Sequence, residues 1–265
     1  MSGGTVAPGS MQPQAPGPFR YEVLRPHADR LLGAAEQRAL ALRLMGGVAI
    51  RERAADLGGL DGDARRYGDI DLVGRLREVR AADELLRGLG YVPDRAVNTQ
   101  FGTVRRIYHH PEGFHVDLVF ERLEFCHPID LRDRLELVPR TLAPADLALQ
   151  KLQIVERNEK DVTDLFLLLL NHELRERDPS AIEVDRIARL TADDWGLYTT
   201  VTDFLDAALA LLGHAPMRED ARARVAERLG QLRGRIEAAP KSARWKLRAR
   251  VGRRVRWYRV VEEVT

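Results

Sequence analysis

Two short segments with alternating polar and apolar residues constrain this chain most. Residues 68–73 read GDIDLV, and residues 114–120 read FHVDLVF. Successive side chains of a strand point to opposite faces, so Asp69 and Asp71 share one face and the apolar residues take the other. The same rule turns Asp117 away from the apolar face of the second segment. Both segments therefore predict short strands with one buried face and one acidic face.

Neighbouring strands would bring the three carboxylates of Asp69, Asp71 and Asp117 onto one patch. Ionised carboxylates a few ångströms apart repel one another unless a cation lies between them. Mg²⁺, or Mn²⁺ in its place, prefers oxygen ligands and keeps open positions for substrate phosphates. The alternative is an ordinary solvated strand edge, because acidic residues are common on protein surfaces.

A glycine pair precedes the first acidic segment. The chain passes from Leu44-Met45 into Gly46-Gly47, a pattern typical of a strand that turns into a helix. The first N–H groups of a helix have no intrahelical acceptor and lie at its positive end, where phosphate groups bind. Glycine lets phosphate oxygens approach the backbone closely. Gly46 and Gly47 are therefore candidate residues for binding a triphosphate.

The order of these motifs resembles that of the DNA polymerase beta-like nucleotidyltransferase superfamily. Within it, the chain is most similar to stand-alone nucleotidyltransferases of the abortive-infection toxin type. The matching residues lie between positions 35 and 172, and they are Gly46-Gly47-Val48-Ala49, Arg65 to Leu72, Asp117, Lys151, and Lys160-Asp161-Val162-Thr163-Asp164-Leu165. Tyr67 departs from the pattern, which has serine or threonine at that position.

The resemblance implies a metal-dependent enzyme that moves a nucleoside monophosphate from an NTP to an acceptor hydroxyl and releases pyrophosphate. Asp69, Asp71 and Asp117 would be the catalytic metal ligands, and Asp117 would also assist in deprotonating the acceptor. The residues implied in binding the NTP are Gly46, Gly47, Arg65, Arg66, Lys151 and Asp161. Asp161 would orient Lys151 or the nucleotide, and Asp164 would be structural. The alternative is an exposed lysine beside an ordinary surface ion-pair cluster.

Charge is distributed unevenly along the chain. Residues 241–265 carry nine Lys and Arg against two Glu, a net charge of +7, which leaves −5 for the remainder. A basic segment on an acidic body is typical of a protein with a polyanionic partner. Together with the toxin-type likeness, it indicates an RNA acceptor such as the 3′ end of a tRNA, and the likeness also implies an antitoxin protein.

Other interpretations of the acceptor and of the basic segment stay open. The acceptor is alternatively a small hydroxylated molecule, as in antibiotic-modifying relatives, or a protein. The chain is alternatively a catalytically silent nucleic-acid-binding protein of the same fold. The basic segment is alternatively a helix docked on its own chain, with its arginines solvated.

The periodicity and the resemblance predict an α+β fold. A small mixed sheet with flanking helices occupies residues 21–140, and an all-helical domain that ends in a basic helix occupies 141–265. Residues 1–20 are expected to be disordered, because their Gly, Pro and Gln residues offer nothing to bury. The predicted strands are 43–45, 69–73 and a hairpin of 101–109 with 114–121. The predicted helices are 28–42, 48–56, 76–88, 143–157, 160–176, 181–190, 194–213, 217–238 and 241–260.

Composition narrows the class of protein further. A hydrophobic content of 45% with 31% charged residues is typical of soluble globular proteins. The longest apolar run, Leu165 to Leu170, is too short to span a bilayer, and no cleavable signal is visible. Cys126 is the single cysteine, so we expect a cytoplasmic protein without disulfides or membrane partners. The seven histidines show no metal-ligand spacing, and His115 is expected to be exposed on the Asp117 face.

Overall fold

The computed structural model describes residues 18–60 and 65–260. Its helices are α1 (Tyr21–Gln37), α2 (Gly46–Arg53), α3 (Val79–Gly88), α4 (Arg95–Phe101), α5 (Pro144–Leu152), α6 (Glu159–Asn171), α7 (Val184–Asp193), α8 (Trp195–Leu212), α9 (Glu219–Ala238) and α10 (Ala243–Val251). Its strands are β1 (Arg43–Met45), β2 (Asp69–Gly74), β3 (Val92–Pro93), β4 (Arg105–His109), β5 (His115–Phe120), β6 (Arg122–Glu124), β7 (Pro128–Asp130), β8 (Leu174–Arg175) and β9 (Ile182–Glu183). Short 3₁₀ turns follow at Leu76–Glu78 and Gly252–Arg254.

Five strands form one mixed sheet in the order β1-β2-β5-β4-β3. The central strands β2 and β5 are parallel, and the other pairs are antiparallel. Their alternation follows the sequence pattern, because the apolar residues Ile70, Leu72, Val116 and Leu118 are fully buried. The predicted α+β fold, with a small mixed sheet, flanking helices and a helical C-terminal region, is confirmed.

The helices after residue 143 pack onto the sheet region through α5 and α6. All nine residues of α5 are buried, and α6 contacts both α2 and α9. The segment 140–142 also pairs with the sheet, since Leu44 donates to the Arg140 carbonyl at 2.8 Å and Leu142 donates to the Leu44 carbonyl at 2.9 Å. The domain boundary predicted near residue 140 falls on this paired segment.

Several element boundaries differ from the predictions. Helix α1 begins at Tyr21, although Pro26 lies inside it, and it ends at Gln37 because Ala39 takes a positive φ of 54°. The strand predicted at 101–109 begins only at Arg105, because Phe101 ends helix α4 and a turn follows it. Strand β3, helix α4 and the two-stranded pairs β6-β7 and β8-β9 were not predicted. These elements have two to seven residues, which is too short for a hydrophobic period to become visible.

The predicted basic helix at 241–260 is helical only in part. Helix α10 ends at Val251, because Gly252 takes φ +60° in the left-handed region and stops the helix. After the turn at Gly252–Arg254 no further helix follows up to residue 260, and the Arg259 N–H there donates to the Cys126 carbonyl at 3.0 Å. Of residues 1–20, which were predicted to be disordered, 1–17 lie outside the described residues. The prediction is wrong for Phe19, which exchanges backbone hydrogen bonds of 3.1 and 2.8 Å with Tyr67.

Within residues 18–60 and 65–260, no helix combines the length and the apolar character that a membrane span needs.

Candidate active site

The register of β2 and β5 brings the predicted acidic residues onto one face of the sheet. Asp71 lies opposite Asp117, and Asp69 lies opposite His115. Residues opposite each other on neighbouring strands share a face, so the three aspartates form one acidic patch. The Asp69 side chain is 45% exposed and that of Asp117 is 10% exposed. The acidic patch (Asp69, Asp71, Asp117) is therefore open to solvent at its Asp69 end.

Gly46 makes room for Asp71. A Cβ atom at position 46 would lie 1.8 Å from Asp71 Oδ2, and the φ of Gly46 is +68°. Both conditions require glycine. The Gly46 N–H donates to Gln150 Oε1 at 2.8 Å inside the protein, so this group already has an acceptor. Gly46 thus seats the carboxylate in this structure, a function that the sequence did not indicate.

Asp117 is paired with an arginine that the sequence analysis missed. Arg105 Nε donates to both carboxylate oxygens of Asp117 at 2.9 Å, and its Nη2 lies 2.7 Å from Oδ2. The predicted hairpin of 101–109 with 114–121 already contained both residues, so the pairing of these strands could have indicated the contact. In the observed register Ile107 lies opposite Asp117, which places Arg105 diagonally beside Asp117 on the same face.

The acidic patch carries more negative charge than its surroundings balance. Burial, followed by the charges of Asp69 and Asp117, raises the pKa of Asp71 well above its ordinary value. Burial and the Asp117 charge also raise the pKa of Asp69, although His115 opposes this shift. His115 Nε2 lies 4.0 Å from Asp69 Oδ2, and its side chain is 33% exposed. His115 is therefore half-buried at the acidic patch, in contrast to the expected exposure.

The oxygens of the acidic patch are not drawn tightly together. Among the described residues, the group of three metal-ligand types whose atoms all lie within 4.8 Å of one another is His27, His110 and Glu112. That group joins α1 to the turn between β4 and β5. Sequence spacing did not indicate it, because His27 is far in sequence from the other two residues.

Lys151 lies in a buried ion cluster with Arg65, Asp161 and Asp164. The Lys151 ammonium is 3.0 Å from Asp161 Oδ1 and 2.9 Å from Asp164 Oδ2, and Arg65 Nη2 is 2.9 Å from Asp164 Oδ2. Burial opposes the charge of Lys151, but the Asp164 and Asp161 charges outweigh it and raise the pKa of the ammonium. The expected surface alternative for Lys151 is wrong, since its side chain is only 11% exposed.

Asp161 has two partners, which explains its position. It forms a capping box with Asn158 at the start of α6 and also contacts Lys151. Asp164 lies one turn further on and bridges Lys151 and Arg65. The structure therefore brings Asp161 and Asp164 to Lys151 on one face of α6, as the i, i+3 spacing allows.

Arg65 has unused hydrogen-bond donors. Its Nε and Nη1 atoms are buried without a hydrogen-bond partner among the described residues. Its guanidinium lies 5.2 Å from the centre of the Tyr67 ring, and burial raises the pKa of that phenol to about 12. A Cβ atom on Gly47 would lie 3.1 Å from Arg65 Nη2, so Gly47 adjoins the same guanidinium. Arg66 lies next to it, and Arg66 Nη1 donates to the Arg65 carbonyl at 3.3 Å.

No protein-family profile and no curated protein sequence matches this chain. Among solved structures, it is similar to the antibiotic-resistance factor ANT(2'')-Ia, with 15% identity, a TM-score of 0.40, and coverage of 73% of this chain and 96% of that one. It is also similar to an antigenic nucleotidyltransferase-like protein from Paracoccidioides brasiliensis, with 14% identity, a TM-score of 0.43, and coverage of 86% and 98%. A likeness this distant decides neither reaction nor ligand, so the function has to follow from the site residues of this chain.

Proposed function

We propose that this chain is a metal-dependent nucleotidyltransferase, which moves a nucleoside monophosphate from an NTP to an acceptor hydroxyl and releases pyrophosphate. One observation carries the proposal. The register that sets Asp71 opposite Asp117 aligns three carboxylates on one face of the sheet, with Gly46 leaving the space that Asp71 needs. Repulsion between the carboxylates and their burial destabilise the folded protein, and a bound cation would reduce both effects.

The acidic patch fits a divalent cation by its donor set. Asp69, Asp71 and Asp117 offer carboxylate oxygens, the ligands that Mg²⁺ and Mn²⁺ prefer. Burial, and after it the charge of neighbouring carboxylates, raises the pKa of Asp69 and of Asp71, a cost that a bound cation would reduce. When bound, the metal ion would neutralise phosphate charge and lower the pKa of the acceptor hydroxyl.

The NTP is proposed to lie between the start of α2 and Arg65. Gly47 lies in the first turn of α2, where backbone N–H groups have no intrahelical acceptor, so its N–H is proposed to donate to a phosphate oxygen. Arg65 Nε and Nη1, which have no acceptor within residues 18–60 and 65–260, suit the same anion, because a buried N–H without an acceptor is costly. Arg66 adds positive charge beside them.

Lys151 and Asp161 are proposed to contribute to the NTP site as part of the buried ion cluster. Lys151 is proposed to neutralise charge on the leaving pyrophosphate, and Asp161 to hold its ammonium in place. Asp164 fixes Arg65 and Lys151 at the same time, with both contacts at 2.9 Å. Their geometry supports a preorganised set of charges, which needs no rearrangement when the reaction takes place.

The transfer itself forms one bond and breaks one. The acceptor oxygen attacks the α-phosphorus of the NTP, and the bond from that phosphorus to the β-phosphate oxygen breaks as pyrophosphate leaves. The acceptor proton is proposed to pass to Asp117. Arg105 would have to release one oxygen of Asp117 for this step, since it occupies both of them.

An RNA 3′ end, including that of a tRNA, is the acceptor we propose. The observation that favours it is the basic segment 241–260, which carries nine Lys and Arg residues and no Asp or Glu. A small hydroxylated molecule is the competing acceptor. A toxin function and an antitoxin partner follow only if RNA is the acceptor and its modification stops growth.

Transfer is tested by incubating the purified chain with Mg²⁺ and each of four α-³²P-labelled NTPs, in the presence of total RNA or of a set of hydroxylated antibiotics. We expect label in RNA together with release of pyrophosphate, and no label with the Asp71→Asn variant. Label on an antibiotic alone would replace the RNA acceptor with the small-molecule one. Absence of transfer to every acceptor, with no NTP binding by calorimetry, would refute the proposal.

A further inference from the structure

A cleft of about 620 Å³ lies between the C-terminal segment and the start of α8. This C-terminal cleft is lined by Trp195, Arg244, Arg256, Trp257 and Tyr258, together with residues of the turn around Cys126. Its volume is typical of sites that bind small molecules or parts of larger ones. It contains none of the residues assigned above to the acidic patch or to NTP binding.

The wall of the cleft after α10 is held in place by specific contacts. Trp257 Nε1 donates to Thr200 Oγ1 at 3.1 Å, and the Arg259 N–H donates to the Cys126 carbonyl at 3.0 Å. A Cβ atom on Gly196 would lie 2.6 Å from the Trp257 carbonyl oxygen, so glycine permits this close approach. These contacts fix the position of the segment that forms this wall of the cleft.

Aromatic rings and guanidinium groups alternate along the cleft. Arg248 lies over the Trp195 ring at 4.8 Å and donates to the carbonyls of Gly252 and Val255, which fixes it as a structural cation. The Trp195 and Trp257 rings meet edge to face at 6.2 Å. Both indole rings and the Tyr258 ring remain partly exposed. A planar, anionic ligand would find rings to stack on and cations beside them.

Two arginines of the cleft have no carboxylate partner among the described residues. They are Arg244 and Arg256, and both are exposed. Two carboxylates, those of Asp193 and Asp194, also line the cleft. Asp194 is the N-cap of α8 and accepts from the Gly196 and Leu197 N–H groups, and Asp193 is exposed. Further exposed cations lie along the same segment outside the cleft, at Lys246, Arg250 and Arg254.

We infer that the C-terminal cleft binds unpaired nucleotides of single-stranded RNA. Stacking on Trp195, Trp257 and Tyr258 would hold the bases, while Arg244 and Arg256 would contact phosphates. A membrane surface is less well matched, because the aromatic rings line a concave cleft rather than a protruding apolar face. The inference rests on the proposed function only in making this RNA the acceptor, since binding itself needs neither NTP nor metal.

Binding can be followed by the fluorescence of the chain itself. The protein has three tryptophans, of which Trp195 and Trp257 line the cleft and Trp245 lies on α10. Titrating the full chain with a single-stranded 12-nucleotide RNA without NTP should quench this fluorescence in a saturable way. The double variant Arg244→Gln, Arg256→Gln should bind more weakly. The slope of log K against log salt should decrease by about 0.7 per lost contact, or about 1.4.

A matched control separates the cleft from total charge. The double variant Arg38→Gln, Arg80→Gln removes two exposed arginines outside the cleft and should keep the affinity and the salt slope of the unmodified chain. Tyr258→Ala should weaken binding roughly 5- to 100-fold through lost stacking, and Tyr258→Phe should bind normally. Circular dichroism and thermal unfolding confirm that each variant is folded.

The outcomes separate this inference from the proposed function. An unchanged salt slope in the Arg244, Arg256 variant, or binding of phosphatidylserine vesicles without binding of RNA, would overturn the cleft as an RNA site. The Asp71→Asn variant should lose transfer yet bind RNA as tightly as before. Cleft-dependent RNA binding without any transfer upholds the cleft and removes the proposed reaction. Transfer without RNA binding upholds the reaction and removes the cleft.

Discussion

Both carboxylate oxygens of Asp117 accept hydrogen bonds from one guanidinium, that of Arg105. This cation lies beside Asp69 and Asp71, whose pKa values are raised. A metal ion that took an oxygen of Asp117 would therefore compete with Arg105. Single residues thus decide how readily the patch accepts a cation.

Arg105→Gln should make the protein less stable and more responsive to Mg²⁺. Without the guanidinium, three carboxylates face one another, which should cost about 1–2 kcal/mol at a partly exposed pair. Mg²⁺ binding to the patch should then raise the melting temperature more than it does in the unmodified chain. Arg106→Gln, on the opposite face of β4 beside Asp83, is the matched control. An equal Mg²⁺ response in all three proteins would show that Arg105 does not compete for Asp117.

Gly46→Ala should be far more damaging than Gly47→Ala. The first substitution places a Cβ 1.8 Å from Asp71 Oδ2 at φ +68°, whereas the second places it 3.1 Å from a flexible Arg65 guanidinium. The left-handed conformation alone costs about 1–2 kcal/mol for a residue with a side chain. Urea unfolding should show a loss of at least that size for Gly46→Ala and a smaller one for Gly47→Ala. Equal losses would mean that Asp71 does not depend on the missing side chain.

At the scale of elements, α6 joins the helical region to the NTP site. It presents Asp161 and Asp164 one turn apart, and these carboxylates hold Lys151 of α5 and Arg65 before β2. The capping box at Asn158 fixes the residue at which this helix starts, and it therefore fixes the position of both carboxylates along the helix axis. The position of Arg65 therefore depends on where α6 begins.

Asp164→Asn should destabilise the protein by about 3 kcal/mol, because it leaves two buried cations without their shared carboxylate. Asp161→Asn removes a carboxylate from Lys151 alone, so its cost should be clearly smaller. Guanidinium chloride unfolding of both variants measures the difference. If Asp164→Asn is the milder change, the buried ion cluster is not organised around Asp164.

The elements that sequence predicted best are those with a visible alternation or apolar period, together with the short strand β1 before the glycine pair. The alternation at 69–73 and 114–120 predicted the acidic face, and the apolar spacing predicted α5 to α9 within a few residues. Arg105 and Gln150 were missed because their partners, Asp117 and the Gly46 N–H, are fixed by tertiary register. The end of α10 was missed because the conformation of Gly252 decides it and leaves no hydrophobic signal.

At the scale of the whole molecule, buried histidine couples stability to pH. His127 is buried, with Nε2 2.8 Å from Thr200 Oγ1, and burial lowers its pKa to about 4. An unfolded histidine takes a proton near pH 6.5, so between pH 6.5 and about 4 the unfolded chain binds more protons. Stability should accordingly fall as the pH falls through this window.

Replacing His127 with Gln removes that titration. At pH 7.5 we expect His127→Gln to be less stable than the unmodified chain, because packing and the contact with Thr200 are altered. At pH 5 the difference in the free energy of unfolding between the two proteins should be smaller by roughly 2 kcal/mol. Only the unmodified chain has an imidazole at position 127 that is neutral when folded and protonated when unfolded. Urea midpoints at both pH values measure the change in the gap. A constant gap would place the acid sensitivity elsewhere.

The hydrogen bonds between β1 and residues 140–142 have a consequence for how the chain can be divided. Strand β1 is the end of its sheet, and this short segment pairs with its outer side through Leu44. A fragment that stops before Arg140 would leave Leu44 with bare N–H and C=O groups, an open edge that invites other chains to add to it. Such a fragment should aggregate. A graft that exchanges the helical half should therefore carry residues 140–142 with the sheet.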